Sequence, residues 1–356
     1  MPTAVPAAAE TTDDPLPWSS AWQRAAFGPG GFYSTGAGAR MWPHRFFRTS
    51  VHVGAVFHAA LATLLVDVDV RLDHPDVLDL VDIGAGRGEL LPGLLDALPR
   101  DVAARVRAVA VDVHAPPDDL DPRVRWVVGA APDAVPRGIR GLVVANEWLD
   151  DVPLDVVQLD DDLTPRLVLV TRDGTETLGP RLDDDEAWAA RGLDAVRARD
   201  WVERWWPLTP EASAYPGDRA EIGVTRDDAW REVVARVDAG TALAIDYGHH
   251  REQHRRASLT GYRLAGRVSA PVPDGSINLT AHVAVDSVAE AVGVRKAIRR
   301  QRESLQALGV SASLPASSLA AHDPSAYADA LQAASDSAEL LDPSGLGAFV
   351  WVRVDR

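Results

Sequence analysis

The sequence has no cysteine among its 356 residues. That excludes disulfides, thiolate-bound zinc, iron–sulfur clusters and a thiol nucleophile, and it is compatible with the cytoplasm. Lysine is nearly absent too: Lys296 is the only one. A Walker A loop needs Gly-Lys-Ser/Thr, so that class is out. A Schiff-base lysine would have to be Lys296, which sits in the run Arg295-Lys296-Ala297-Ile298-Arg299-Arg300 and reads as a solvated helix face. There is no Gly-x-Ser-x-Gly elbow, the commonest hydrolase signature. No apolar run approaches the ~20 residues of a membrane span, so no membrane partner is expected. Net charge is −16 and no long basic stripe is present, which argues against nucleic acid as a partner. His250 and His254 flank Glu252, but the metalloprotease order puts Glu directly after the first His. No metal is therefore expected.

What the chain does have is a hydrophobic fraction of 46%, enough for a real core. Its organising stretch covers residues 77–91. An apolar run at 77–83 breaks into Gly84-Ala85-Gly86-Arg87-Gly88 and resumes with Leu90, Leu91, Leu94, Leu95 and Leu98 at helical spacing. This predicts strand, glycine turn, helix, the opening of a doubly wound α/β fold. The spacing is Gly-x-Gly-x-Gly, not the Gly-x-Gly-x-x-Gly of a dinucleotide fingerprint, and Asp82 and Glu89 flank it. Carboxylates there would repel a pyrophosphate. They suit a ligand with an ammonium group and hydroxyls, and S-adenosylmethionine (SAM) has both. The stretch resembles motif I of SAM-dependent methyltransferases. In that reading Asp82, Gly84, Gly86 and Gly88 hold the methionine part.

Further strands are predicted at 106–113, 124–128, 141–145 and 241–245, with a last one at 348–354. Asp112, at the end of strand two, stands near the offset at which an acid binds ribose hydroxyls. Gly129-Ala130-Ala131 after strand three would let an adenine ring approach. Strand four runs into Asn146-Glu147-Trp148-Leu149-Asp150-Asp151-Val152-Pro153. This puts an amide and three carboxylates at the carboxyl edge of the sheet, where open α/β sheets bind ligands. Converging carboxylates repel one another unless a cation joins them. Tyr247, after strand five, stands at the same edge. Phe32, Tyr33 and Arg48 are candidates for the mouth of the site.

The expected organisation is a disordered tail at 1–17, a helical cap at 18–75, and the first half of a Rossmann-like core at 76–154. An inserted α+β subdomain at 155–218 and the second half of the core at 219–356 complete it. Within the insert, the runs at 156–159 and 167–171 suggest a hairpin. Residues 183–206 read as a helix whose tryptophans pack rather than stack on a ligand. Residues 225–237, 285–308 and 319–341 also read as helices, with Gly240 capping the first.

Several blocks together resemble one family. Asp82-Ile-Gly-Ala-Gly-Arg-Gly-Glu-Leu-Leu91 is similar to its glycine motif. Asn146-Glu-Trp-Leu-Asp-Asp-Val-Pro153 is similar to its Asn-Glu-Phe-Phe-Asp-Ala-Leu-Pro block. Ile245-Asp-Tyr-Gly248 and Leu279-Thr-Ala-His-Val283 also match. This is the MidA family of SAM-dependent methyltransferases, which includes a mitochondrial factor that methylates an arginine of a complex I subunit. The sequence departs from it in four places. Asp82 and Ala85 replace Glu and Pro, Asn278 stands for Asp, and Phe47-Arg48-Thr49-Ser50 stands where the family has Asp-Phe-x-Thr. The resemblance implies a class I methyltransferase sheet, with SAM as the cofactor. Asp82, Gly84, Gly86, Gly88, Asp112, Ala130 and Asn146 would lie on the cofactor side. Tyr33, Glu147, Asp151 and Tyr247 would lie on the acceptor side. For a guanidinium acceptor, Glu147 would orient it and offset its charge, with Asp150 or Asp151 assisting, and His282 would take the proton as charge leaves. A small-molecule O- or N-methyltransferase and a non-catalytic SAM-binding assembly factor stay open. So does the oligomeric state, a homodimer included.

Overall fold

In a computed structural model of the protein, the described residues are 14–34, 49–208, 214–253, 257–263 and 266–356. Arg48, His254 and residues 1–13 of the expected tail lie outside them. The fold is mixed α/β, built on a seven-stranded, mostly parallel central sheet. Its strands are β1 (Leu78–Ile83), β2 (Val106–Asp112), β3 (Val124–Val128), β4 (Ile139–Asn146), β5 (Val237–Asp246), β6 (Lys296–Arg300) and β7 (Val350–Asp355). Their spatial order is β6-β7-β5-β4-β1-β2-β3. β1 to β5 run parallel, and β7 is antiparallel to both β5 and β6.

Period-2 alternation divides the apolar residues of these strands between two cores. Leu78, Leu80, Ala108, Ala110, Leu142, Val144, Leu243 and Ile245 face helices Ala55–Arg71 and Leu90–Ala97. Val81, Ile83, Val109, Val111, Val143, Ala145, Ala242 and Ala244 face Trp230, Val233, Val234 and Val288 on the other side. β1 is buried along its whole length. Both faces are covered, as a parallel sheet requires.

The same alternation governs the strand ends. Asp82, Asp112 and Asn146 continue the register of Leu80, Ala110 and Val144. Three polar side chains thus end adjacent strands on one face, at the carboxyl edge.

Beyond β4 the chain builds a second, antiparallel sheet from Asp155–Leu159, Pro165–Val170, Glu176–Arg181 and Arg219–Ile222, joined by Leu16–Pro17. The predicted hairpin is thus part of a five-stranded unit. Helix Ala195–Trp205 packs Trp201 and Val202 against it, with Trp188 and Trp206 buried in the same cluster. The 183–206 region is two helices, Asp185–Ala189 and Ala195–Trp205. Gly192 lies between them at φ +73°.

Three other expectations are corrected. The 285–308 segment is helix Val285–Ala291, strand β6 and helix Gln301–Ala307. Its basic run is an edge strand, not a helix face, because Ile298 and its neighbours pair with β7. The 319–341 segment breaks between Ser317–His322 and Pro324–Leu341, where the Asp323 side chain caps the second helix. Gly240 caps no helix: helix Val224–Ala235 gives way directly to β5, and Gly240 lies inside that strand at φ +126°.

A Cβ at Gly240 would meet the backbone of Gly141 on β4. Gly240→Ala therefore combines left-handed strain with a clash against backbone that cannot yield. The expected cost is about 3 kcal/mol, read as a lower urea midpoint at unchanged slope. A shift worth under about 1 kcal/mol would show that the β4–β5 contact is less tight than this.

Candidate active site

The glycine turn leaves β1 at Ile83. Gly84 has φ +67°, and a Cβ there would stand 3.3 Å from the Trp148 ring. Only glycine takes this conformation cheaply while leaving the backbone open to a ligand. The Gly86 N–H donates to Asp112 Oδ2 at 2.9 Å, so the turn is tied to the end of β2. At Gly88, φ +77°, a Cβ would stand 3.2 Å from the Trp126 ring and 3.5 Å from Leu120.

Above this turn is a cavity of about 380 Å³, within the range of small-ligand and cofactor sites. Asp82, Gly84, Gly86, Asp112, Ala130, Asn146, Glu147, Asp151 and Tyr33 all line it. Gly88, Asp150, Tyr247 and His282 do not appear in its lining. Asp150 is one layer back, accepting from the Thr280 hydroxyl at 2.8 Å and from the Tyr247 hydroxyl. The His282 ring lies edge-on to Tyr247, centroids 5.5 Å apart. Its backbone N–H bonds Ser258 Oγ and its carbonyl accepts from Arg226. That places His282 behind Tyr247, away from the lining where a proton acceptor was expected.

The lining also holds Glu89, which the sequence set beside the glycine turn, and three residues that sequence reasoning missed: His52, His114 and Trp148. His52 stands 3.4 Å from Glu89. Burial alone would raise the Glu89 pKa, but His52 and backbone N–H groups outweigh it and the net shift is downward. His114 Nδ1 lies 2.7 Å from Asp112 Oδ1, and its Nε2 lies 2.5 Å from the Tyr33 carbonyl. The sequence signal for His114 was its place two residues past the end of β2.

The acidic block at the end of β4 is held by unusual means. Glu147 has φ +53°, a left-handed conformation that a non-glycine residue keeps only when its surroundings fix it. Its N–H donates to the Ile245 carbonyl at 2.8 Å. Asp246, ending β5, accepts from the N–H groups of Leu149 and Asp150 at 3.0 and 3.1 Å. Asp151 receives the Tyr33 hydroxyl.

Arg226, 1% exposed, gives its guanidinium to four carbonyls: Asp150 at 2.7 Å, Ala281 at 2.9 Å, Val152 at 3.0 Å and His282 at 3.0 Å. It therefore joins the Asn146–Pro153 block to the Leu279–Val283 block, which the sequence keeps far apart.

Desolvation dominates the electrostatics. Burial pushes Glu147 from 4.5 up to about 8, helped by the charge of Asp150 and opposed by the Asn146 amide. Asp82 is raised well above the usual carboxylate range by burial and by the charges of Asp112 and Glu89. Asp151 is raised by burial and by Asp150. Asn146 Oδ1 and Asp151 Oδ1 are buried acceptors without a donor among the described residues. Five carboxyl groups line the cavity, and among its described lining residues there is no Arg or Lys. Among the described residues no group of His, Asp and Glu is arranged to hold a metal, and no helix is long and apolar enough to cross a membrane. His250 pairs with Asp286 at 2.8 Å.

The sequence pattern of one family, described as S-adenosyl-L-methionine-dependent methyltransferase, matches residues 60–302. No curated protein matches the chain. Among solved structures, a protein from Burkholderia thailandensis crystallised with S-adenosyl-homocysteine is similar at 24% identity and a TM-score of 0.73. The similarity covers 96% of this chain and 88% of that one. A native crystal structure of a protein from the same organism matches at 24% identity and a TM-score of 0.69, over 96% and 87% of the two chains. At this identity the likeness carries the fold.

The raised pKa of Glu147 has a consequence for stability. A carboxyl whose folded pKa lies above its unfolded value stabilises the fold fully below about 4.5, and that contribution is lost as pH rises through about 8. Glu147→Gln mimics the protonated form. The gap in melting temperature, variant minus wild type, should therefore grow by about 2–4 °C or more between pH 5 and pH 9. A gap independent of pH would mean that Glu147 is not desolvated as described.

Proposed function

The chain belongs to this family of S-adenosyl-L-methionine-dependent methyltransferases, and from that premise we propose that its acceptor is a cationic nitrogen, a protein arginine guanidinium. The observation that carries this reading is the cavity lining: five carboxyl groups, two unsatisfied buried oxygens, and no Arg or Lys among the described residues. Such a wall favours a ligand that brings positive charge and several N–H donors. A guanidinium has five, in a planar fork. MidA-type sequence blocks point the same way, and we place the protein within that group, acting in the cytoplasm on a protein partner.

The residues present fit SAM. The left-handed glycine turn exposes backbone beside Asp82. Asp112 is fixed at the end of β2 for a ribose, and Gly129 and Ala130 leave room for a flat base. SAM, when bound, supplies a methyl group on a sulfonium centre.

The chain's own residues position and desolvate. Glu147, aimed into the cavity by its strained backbone, ionises when a guanidinium approaches, because an opposite charge lowers a raised carboxyl pKa. It can then pair with the acceptor and hold it for in-line attack. Asp151, with Tyr33 on one oxygen, offers the other to the same group. Asp150, Thr280 and Tyr247 support this wall from behind.

Two experiments test the reading. Asp112→Ala should weaken binding of SAM and S-adenosylhomocysteine in calorimetry by about 1–3 kcal/mol, through lost charge-assisted hydrogen bonds. Tight NAD binding with none of SAM would end the cofactor reading. Labelled SAM, incubated with an extract of a host strain lacking the gene, should yield methylarginine on hydrolysis. Glu147→Gln should cut that yield rate roughly 10²-fold with cofactor affinity nearly unchanged. Label in a small molecule would favour the alternative methyltransferase reading. Binding without any transfer would favour a non-catalytic assembly factor.

A further inference from the structure

His114 touches two parts of the cavity rim that are distant in sequence. Its Nδ1 faces Asp112 Oδ1 at 2.7 Å and its Nε2 faces the Tyr33 carbonyl at 2.5 Å. A backbone carbonyl can only accept a hydrogen bond, and so can an ionised carboxylate. A neutral imidazole has one N–H and one lone pair, so it would leave one of these contacts repulsive. Both are satisfied when both ring nitrogens carry protons.

Asp112 also accepts from the N–H groups of Gly86 at 2.9 Å and of His114 itself at 2.9 Å. With His114 Nδ1, three of its roughly four acceptor sites are taken, which leaves about one for a ligand hydroxyl. At the other end of the ring, Tyr33 stacks on Phe27 and meets Phe32 edge-on, and its N–H bonds the Ala26 carbonyl. The Tyr33 hydroxyl goes to Asp151. The ring is thus the link between the end of β2 and the 27–33 segment that covers the cavity.

We infer that His114, held as an imidazolium, is a positioning residue for the cofactor site. It orients Asp112 toward the adenosyl ribose and ties the 27–33 segment to the rim. The ribose part of this inference rests on the methyltransferase reading above.

Among the described residues, few groups face the ring. Asp112 is the charged one in contact, and Tyr33 offers its carbonyl and an edge-on ring. The Trp126 indole N–H bonds the His114 carbonyl at 2.9 Å. Asp82 and Glu89 line the same cavity, and the charges of Asp112 and Glu89 help to raise the pKa of Asp82. All of these favour the charged ring or leave it alone. Its pKa is raised, first by the hydrogen bond to Asp112, against the cost of burial. A raised pKa means that the imidazolium is present at lower pH and lost as pH climbs through it. The link should therefore loosen toward alkaline pH.

The test uses the full chain. Nitrogen-15 histidine spectra of the wild type, with the His114 signals identified by their absence in His114→Gln, should show both ring nitrogens protonated at pH 7. Titration calorimetry with S-adenosylhomocysteine should give a dissociation constant about tenfold higher for His114→Gln at pH 7. The wild-type constant should rise between pH 7 and pH 9, while that of the variant stays flat. A neutral His114 ring at pH 7 overturns the inference. So does a variant with wild-type affinity and the same pH slope. A wild type that shows the imidazolium but binds no S-adenosylhomocysteine would remove the cofactor reading and the ribose role with it. The His114 signals can also be assigned in the wild type alone by through-bond correlation to its backbone resonances, so a variant that fails to fold leaves the inference open to refutation.

Discussion

The site depends on a buried cation that no carboxylate neutralises directly. Arg226 spends its guanidinium on four backbone carbonyls, yet it lies close enough to Asp150, Asp246 and Glu221 to offset their charges. Burying carboxylates costs several kcal/mol each unless something compensates. Here the compensation is shared. Arg226 supplies positive charge, the N–H groups of Leu149, Asp150 and Tyr247 serve Asp246, and Tyr247, Thr280 and Tyr33 serve Asp150 and Asp151. Glu147 accepts from the Asn146 amide, and burial with the charge of Asp150 still raises its pKa to about 8, so a positive charge placed beside it would favour loss of its proton.

This division explains why the acidic wall has two layers. Asp150 and Asp246 face inward and hold backbone and tyrosines; they are framework. Glu147 and Asp151 face the cavity. Neighbouring acids in the chain therefore play different parts, decided by where the strained backbone at Glu147 sends the following turn. The seven-stranded sheet sets the stage for this, because β4 and β5 lie side by side and bring Asn146 and Asp246 to the same edge.

The opposite wall works through hydrogen bonds to Asp112. The glycine turn, the β2 end and the N-terminal segment converge on that carboxylate through Gly86 and His114. The Asp112 wall and the Glu147–Asp151 wall then meet at Tyr33, which gives its carbonyl to His114 and its hydroxyl to Asp151. A change at either wall reaches the other through one residue.

Much of this was legible in the chain alone. The strand–glycine–helix stretch, the five parallel strands and the Asn-Glu block declare themselves, because burial on both faces demands unbroken apolar runs and a turn of that curvature demands glycine. Asp82, Asp112 and Glu147 could be picked out because strand ends are where such a sheet binds ligands. What the sequence left undecided was everything that depends on partners far away in the chain. The basic 295–300 run reads as helix by composition, but pairing with β7 makes it an edge strand. Gly240 reads as a helix cap, but it is needed because the backbone of Gly141 passes against it. His282 belongs to a recognisable block, yet packing behind Tyr247 takes it out of the lining. Arg226 carries no local signal of its role, and His114 carries only its place two residues past β2, since those roles exist only once the 27–33 segment, the β4 turn and the 279–283 block are folded together. Local pattern determines which elements form; which side chains converge is a property of long-range contact, and only the tertiary structure decides it.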